Sequence, residues 1–242
     1  MIDGLRVLAV VPARGGSKGF PRKNLALLGG VPLVARVGHV AARCPSIDRI
    51  VVSTDDDAIA DVAQAAGIDA PFRRPEELSG DRVADVPVLR HALAATEQDD
   101  GTCYDVVVML QPTAPLRTAA QVEGALALLA RDGLDTVWTV TPTAGHDHPV
   151  KQLRMDDGRL VFDHPDGGGF VSRQQLSTLW TRDGIAYVLR RTTLEGDRLL
   201  GERSGGFVTE GPLVDIDDAL DLAWAEFLLA RRPGDDDGSP PG

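Results

Sequence analysis

Residues 5–24 read LRVLAVVPARGGSKGFPRKN, and the division of this stretch decides the fold. Apart from Arg6, Leu5 to Val11 is an apolar run, the pattern of a strand buried on both faces of a sheet. Pro12 ends it. The loop that follows carries Arg14, Gly15, Gly16, Ser17, Lys18 and Gly19, then Pro21, Arg22, Lys23 and Asn24. A loop at the carboxyl end of a buried parallel strand is where open α/β sheets bind ligands. Glycines let backbone N–H groups approach an anion, and Arg14, Lys18, Arg22 and Lys23 supply counter-charge. This composition suits a triphosphate. It matches neither common phosphate loop. Lys18 is followed by Gly19 rather than the hydroxyl residue of a Walker A loop, and no G-x-G-x-x-G opens a helix. A mobile basic surface loop is the competing reading, and the buried strand directly before it argues against that.

The segment PARGGSKGFPRKN at residues 12–24 resembles the signature of the acylneuraminate cytidylyltransferase family. Those enzymes make CMP-activated sialic acids and related nonulosonic acids. The resemblance continues along nearly the whole chain.

Composition is compatible with such a protein. The 242 residues are 43% hydrophobic and 25% charged, as in a soluble globular chain long enough for one α/β core. The net charge of −11, with no basic face outside the first loop, argues against a nucleic-acid partner. The absence of a membrane span or signal peptide in this sequence predicts a cytoplasmic protein, with Cys44 and Cys103 as reduced thiols.

Further along, proline at the first turn marks a helix beginning at Val31-Pro32-Leu33-Val34, with Leu33, Val37 and Val40 on one face. Arg49–Ser53 reads as a second buried strand, followed by Asp55, Asp56 and Asp57, one of which caps the next helix. PFRRPEEL at residues 71–78 resembles the family's L-R-P-x-E-L stretch, which makes Arg74 the residue beside the nucleotide. A surface ion pair is the alternative for this pair of arginines. His91 reads as a packed helix residue. Residues 105–110 (DVVVML) form the third central strand and run into Gln111-Pro112-Thr113-Ala114-Pro115-Leu116-Arg117, similar to the family's L-Q-P-T-S-P-L-R. Two prolines fix that loop and hold Gln111 at the sheet edge. Thr118 and Gln121 form a capping box for a helix with Val122, Ala125, Leu126 and Leu129 inward.

After a strand at residues 135–140 the pattern breaks down until Arg182. His146, His148 and His164 fall here at a spacing that fits no recognised metal-ligand set, and Asp156-Asp157-Gly158 predicts a hairpin turn. His148-Pro149-Val150-Lys151 resembles the family's H-P-x-K, and Arg173-Gln174-Gln175-Leu176 its R-Q-Q-L. The resemblance implies that this region is an insert crossing to a second subunit, hence a homodimer. Residues 182–188 (RDGIAYV) resemble the family's N-G-A-I-Y-I strand, with Asp183 in place of asparagine, and Phe207 stands alone where sialic-acid enzymes carry a pair of aromatics. Both departures fall on the sugar side.

In Val214-Asp215-Ile216-Asp217, alternation along a short strand turns both carboxylates to one side. One or two carboxylates plus phosphate oxygens are the usual holders of Mg²⁺, and the resemblance makes this D-I-D the metal site for Mg²⁺ or Mn²⁺. The last helix is expected to bury Leu220, Trp224, Phe227 and Leu228, and residues 233–242 to be a disordered tail.

These readings together predict an α/β protein. A three-layer α/β/α Rossmann-like nucleotidyltransferase domain with a mostly parallel sheet spans residues 1–232, with an inserted dimerisation arm at about 141–182. The resemblance implies CTP and an acidic 2-keto sugar as substrates. Arg14, Lys18, Lys23 and Asp217 would be catalytic. Arg14, Gly15, Gly16, Ser17, Lys23, Asn24 and Arg74 would bind nucleotide, and Gln111, Lys151, Arg173 and Tyr187 the acid. Asp215 and Asp217 would hold the metal. Another nucleotide such as GTP, another acceptor such as 3-deoxy-octulosonate or a phosphonate, and a non-catalytic nucleotide-binding protein are the alternatives.

Overall fold

A computed structural model describes residues 1–17, 19–169 and 176–232. Lys18, Arg173 and the expected tail at 233–242 lie outside the described residues. In chain order the elements are β1 (Val7–Pro12), β2 (Leu27–Leu28), β3 (Val31–Pro32), α1 (Leu33–Ala41), β4 (Arg49–Ser53), α2 (Asp57–Ala65), α3 (Asp85–Asp100), β5 (Val106–Met109) and α4 (Ala119–Arg131). There follow β6 (Thr136–Pro142), β7 (Leu153–Asp156), β8 (Arg159–Phe162), β9 (Trp180–Arg190), β10 (Ser204–Val208) and α5 (Ala219–Leu229). The chain divides into two units, residues 1–139 with 183 onward, and residues 140–182.

The main sheet has the order β10-β6-β9-β5-β1-β4, with β1 parallel to both β4 and β5, and β9 antiparallel to β5. Strand β1 is apolar throughout because both of its faces are covered. Val7, Ala9 and Val11 pack with Val34 and Val37 of α1, Ile59 of α2 and Leu126 of α4. Leu8 and Val10 pack on the opposite face with Leu89 and Leu93 of α3. The result is the expected three-layer α/β/α arrangement.

Local chemistry sets the element ends. Asp56 caps α2 by accepting from the Ile59 N–H at 3.1 Å. The Thr118–Gln121 capping box at α4 is complete in both directions. Asp157 and Gly158 both have positive φ, 46° and 75°, the geometry of a tight two-residue hairpin, and they join β7 to β8. Pro32 differs from expectation: it closes the small β2–β3 ribbon and is the N-cap of α1, one position before the first turn.

Two further expectations are corrected. Residues 214–216 form no strand, although their side chains do alternate. Val214 and Ile216 are buried with Leu28, Leu33 and Leu116, while Asp215 and Asp217 are exposed. The extended backbone is tethered by the Ile216 N–H donating to the Thr113 carbonyl at 2.8 Å, so extension without a ladder suffices for alternation. Helix α5 buries Ala225 and packs Leu222, Leu228 and Leu229 inward. Leu220, Trp224 and Phe227 are 77%, 50% and 44% exposed instead. The helix is apolar almost all round, so periodicity does not select its inner face. Trp224 and Phe227 stack on each other at 5.1 Å, and the Arg231 guanidinium lies over Phe227.

Candidate functional site

A cavity of about 250 Å³ opens at the carboxyl ends of β1, β4 and β5. Pro12, Arg14, Ser17, Lys23, Asn24, Arg74 and Gln111 line it. Six of the residues singled out from sequence therefore meet in one place.

The loop after β1 is held by its own polar groups. Asn24 is buried, and its Nδ2 donates to the Arg14 carbonyl at 3.0 Å, so its amide positions the loop as well as lining the cavity. The Gly15 N–H donates to Asp55 at 2.9 Å, and a Cβ at Gly15 would meet the Asp56 side chain within 2.9 Å. Glycine is required there by close approach. The N–H that sequence reasoning offered to a phosphate is thus engaged by an aspartate at the end of β4. The Ser17 N–H likewise donates to the Gly15 carbonyl at 3.1 Å. An added Cβ at Gly16 meets no atom within 4 Å.

The two arginines of residues 71–78 separate cleanly. Arg73 makes an exposed ion pair with Asp57 at 2.8 Å. Arg74 turns inward, its Nε donating to Ser53 Oγ at 3.0 Å and its Nη2 to the Ser53 carbonyl at 2.5 Å. Burial pushes the Arg74 guanidinium down to about 10, with Asp55 opposing and Arg14 reinforcing the shift. It remains a cation at neutral pH, locked to the end of β4. His91 packs edge-on against Phe72, and burial followed by the Arg74 charge lowers its pKa. It is the packed residue expected.

Arg14 and Lys23 each carry an acidic partner. Arg14 pairs with Asp81 at 2.8 Å, and Lys23 pairs with Asp217 at 3.0 Å. Solvent-exposed pairs of this kind contribute at most about 1 kcal/mol, so a polyanion can displace them. Asp81, Leu78 and Gly80 also line the cavity and were not selected from sequence. The turn-forming Ser79-Gly80-Asp81 between two assigned segments was the available signal. Asp217 is joined to the cavity through Lys23, and Asp215 is exposed on the same extended segment. No cluster of three or more His, Cys, Asp or Glu side chains suited to a metal occurs among the described residues. Two carboxylates completed by phosphate oxygens and water are nevertheless a normal Mg²⁺ donor set, and this pair fits it.

The expected acid-binding residues divide. Gln111 lines the cavity, and Lys151 is exposed in the second unit. Tyr187 is buried on β9, opposite Met109, with its ring edge-on to Trp138 at 5.3 Å. It is part of the core between β9 and α3, because alternation on β9 turns it to the α3 face. Asp183 is also committed internally, accepting from the hydroxyls of Thr139 and Thr209, each at 2.5 Å. Phe207 packs over Gly124 of α4.

A family model described as cytidylyltransferase matches residues 8–154. The CMP-N,N′-diacetyllegionaminic acid synthase of Campylobacter jejuni is 30% identical over 228 residues, 93% of this chain and 96% of that protein. The pseudaminic acid cytidylyltransferase of the same species is 30% identical over 230 residues, with the same coverage. Among solved structures, a CMP:2-keto-3-deoxy-manno-octonic acid synthetase complexed with CTP superposes with a TM-score of 0.67 at 20% identity, covering 93% of this chain and 99% of that one. That likeness is one of fold.

Proposed function

Because this chain belongs to the cytidylyltransferase family, we propose that it activates a nonulosonic acid with CTP, giving a CMP-linked acid and pyrophosphate. The observation that carries this reading is the convergence of Arg14, Lys23, Arg74 and Gln111 on one cavity at the ends of three parallel strands.

In the reaction, a hydroxyl oxygen of the acid forms a bond to the α-phosphorus of CTP. The bond from that phosphorus to the bridging oxygen breaks, and pyrophosphate leaves as the hydroxyl loses its proton. Such chemistry needs positioning and charge neutralisation more than covalent help from the protein. Arg14, Lys18 and Lys23 would take up the phosphate charge, exchanging Asp81 and Asp217 for phosphate oxygens. Gly16 and Ser17 would line the phosphate path. Arg74, held rigidly on Ser53, would fix the ribose and base side. Gln111 would hold the acid beside the nucleotide, and Lys151 and Arg173 would pair with the acid's carboxylate. Asp215 and Asp217 would hold Mg²⁺ or Mn²⁺, which supplies charge neutralisation at the phosphates when bound. No helix among the described residues is long and apolar enough to cross a membrane, and we place the reaction in the cytoplasm.

The test is pyrophosphate release with Mg²⁺, each of the four nucleoside triphosphates, and a panel of acids: N,N′-diacetyllegionaminic, pseudaminic, N-acetylneuraminic and 3-deoxy-manno-octulosonic. Release with CTP and one nonulosonic acid is expected. Turnover restricted to another nucleotide, or to the octulosonate, would replace that half of the assignment.

A homodimer is part of the proposal, supported by the hairpin of the second unit. Leu153 pairs with Phe162 and Met155 with Leu160, so four large apolar side chains share one face. They are half to two-thirds exposed. A two-stranded ribbon is marginal by itself, and full burial of such side chains is worth about 1.5–3 kcal/mol each. A second copy of the chain would cover this face. Met155→Glu combined with Leu160→Glu is expected to convert a dimer to a monomer in light scattering. A monomeric wild type, or an unaffected dimer, would contradict the assignment.

A further inference from the structure

Arg117 ends the loop that begins at Gln111, and it is among the largest fully buried side chains of the protein. Its Nη2 donates to the Gln111 carbonyl at 2.5 Å and to the Gly184 carbonyl at 3.2 Å, and its Nε to the Ile185 carbonyl at 2.9 Å. One planar fork thus ties the loop after β5 to the middle of β9. Lysine, a point charge on a flexible stem, cannot reproduce that bridge.

The surroundings make this a costly place for a cation. Burial pushes the Arg117 guanidinium down to about 10, opposed first by the Asp183 carboxylate. Nη1 is buried with no hydrogen-bond partner among the described residues. An unsatisfied buried donor costs about 1–3 kcal/mol, and apolar residues often replace buried charges without loss of stability. Packing alone does not account for an arginine here. What it accomplishes is visible on the cavity side. Gly184 has a φ of 74°, and a Cβ there would lie 3.4 Å from Gln111 Oε1 and 3.5 Å from Ala114 Cβ. The Gln111 amide therefore lies beside the same β9 backbone that Arg117 holds, with room for no more than a methyl group between them. Asp183, with Thr139, Thr209 and the Ile185 N–H as donors, fixes that backbone from the other side.

We propose that Arg117 is a positioning residue for the transfer reaction, clamping the Gln111 carbonyl to Gly184 and Ile185 so that the Gln111 amide is presented to the acid. The inference rests on the reading above, in which Gln111 holds the acid. Arg117 itself touches no substrate.

The test compares wild type, Arg117→Lys, Gln111→Ala and the double variant, using CTP and the panel acid that turns over fastest. Arg117→Lys is expected to raise the KM for the acid about tenfold and leave the KM for CTP within about twofold. Gln111→Ala should give a similar selective rise, and the double variant should be no worse than the more impaired single variant, because both changes remove one interaction. Equal increases in both KM values, or additive effects in the cycle, would make Arg117 merely structural and overturn the proposal. If Gln111→Ala leaves the acid's KM unchanged, the reading of Gln111 falls and takes the inference with it. If Gln111→Ala is impaired and Arg117→Lys is not, the inference alone falls. Should Arg117→Lys fail to fold, Gly184→Ala perturbs the same contact by forcing a strained φ beside Gln111, and the same selective rise is required of it.

Discussion

Asp217→Asn is expected to lower kcat/KM by about a thousandfold, the scale of a lost electrostatic group at the reacting phosphate. Asp217 lies largely exposed on an extended segment, with its backbone N–H donating to Asp221 at 2.8 Å and its carboxylate accepting from Lys23 at 3.0 Å. The backbone contact survives the substitution, so the segment should keep its course. A surface change of this kind alters stability by no more than about 0.5 kcal/mol. The loss should therefore appear in catalysis, accompanied by a higher Mg²⁺ requirement, because the amide binds a hard cation poorly. Chelation of divalent metal should abolish wild-type turnover, and Mg²⁺ or Mn²⁺ should restore it. Steady-state rates across a Mg²⁺ titration measure both effects. An Asp217→Asn enzyme within threefold of wild type would remove Asp217 from the metal site.

Lys23→Met is the second large effect. Lys23 lies in the short helical turn just after the loop and contributes its ammonium to the cavity wall. Its partner Asp217 is so exposed that the ion pair adds little to stability, which frees the ammonium for a phosphate. Loss of that charge is expected to reduce kcat by about a hundredfold or more, with thermal stability nearly unchanged. Lys23→Arg should recover part of the activity, since the charge returns in a different shape. A variant impaired only in stability, or a Lys23→Arg enzyme no better than Lys23→Met, would show that the residue acts through packing.

Much of this site could be read in the chain because its parts are local. The apolar run of β1, the loop after it, the Thr118–Gln121 box and the Asp157-Gly158 turn each declare themselves within a few residues. Gln111 was placed by the same reasoning, as a residue pinned by prolines where a buried strand ends. The features that escaped are those decided by partners distant in sequence. The Gly15 N–H looked available until Asp55 arrived from the end of β4. Asp81 meets Arg14 only when the turn before α3 folds over the cavity. Tyr187 resembled a ligand-binding residue, but the strand's alternation turns it into the layer shared with Trp138 and α3. Helix α5 is apolar around its circumference, so its inner face was set by the β2–β3 ribbon it meets rather than by its own pattern. Asp215 and Asp217 are both exposed, alternating with buried Val214 and Ile216, although no strand forms there. An extended backbone pinned at Thr113, with two apolar side chains buried, gives the same result.

The central claim is that one cavity joins CTP to a nonulosonic acid, and product analysis tests it most directly. Enzyme, Mg²⁺, CTP and the panel acids would be incubated together and followed by ³¹P NMR with mass spectrometry. One new phosphodiester resonance, a product mass equal to CMP plus the acid less water, and pyrophosphate formed in equal amount are expected. CTP consumed to CMP or CDP with no acid-linked product, or no phosphodiester with any nonulosonic acid, would contradict it.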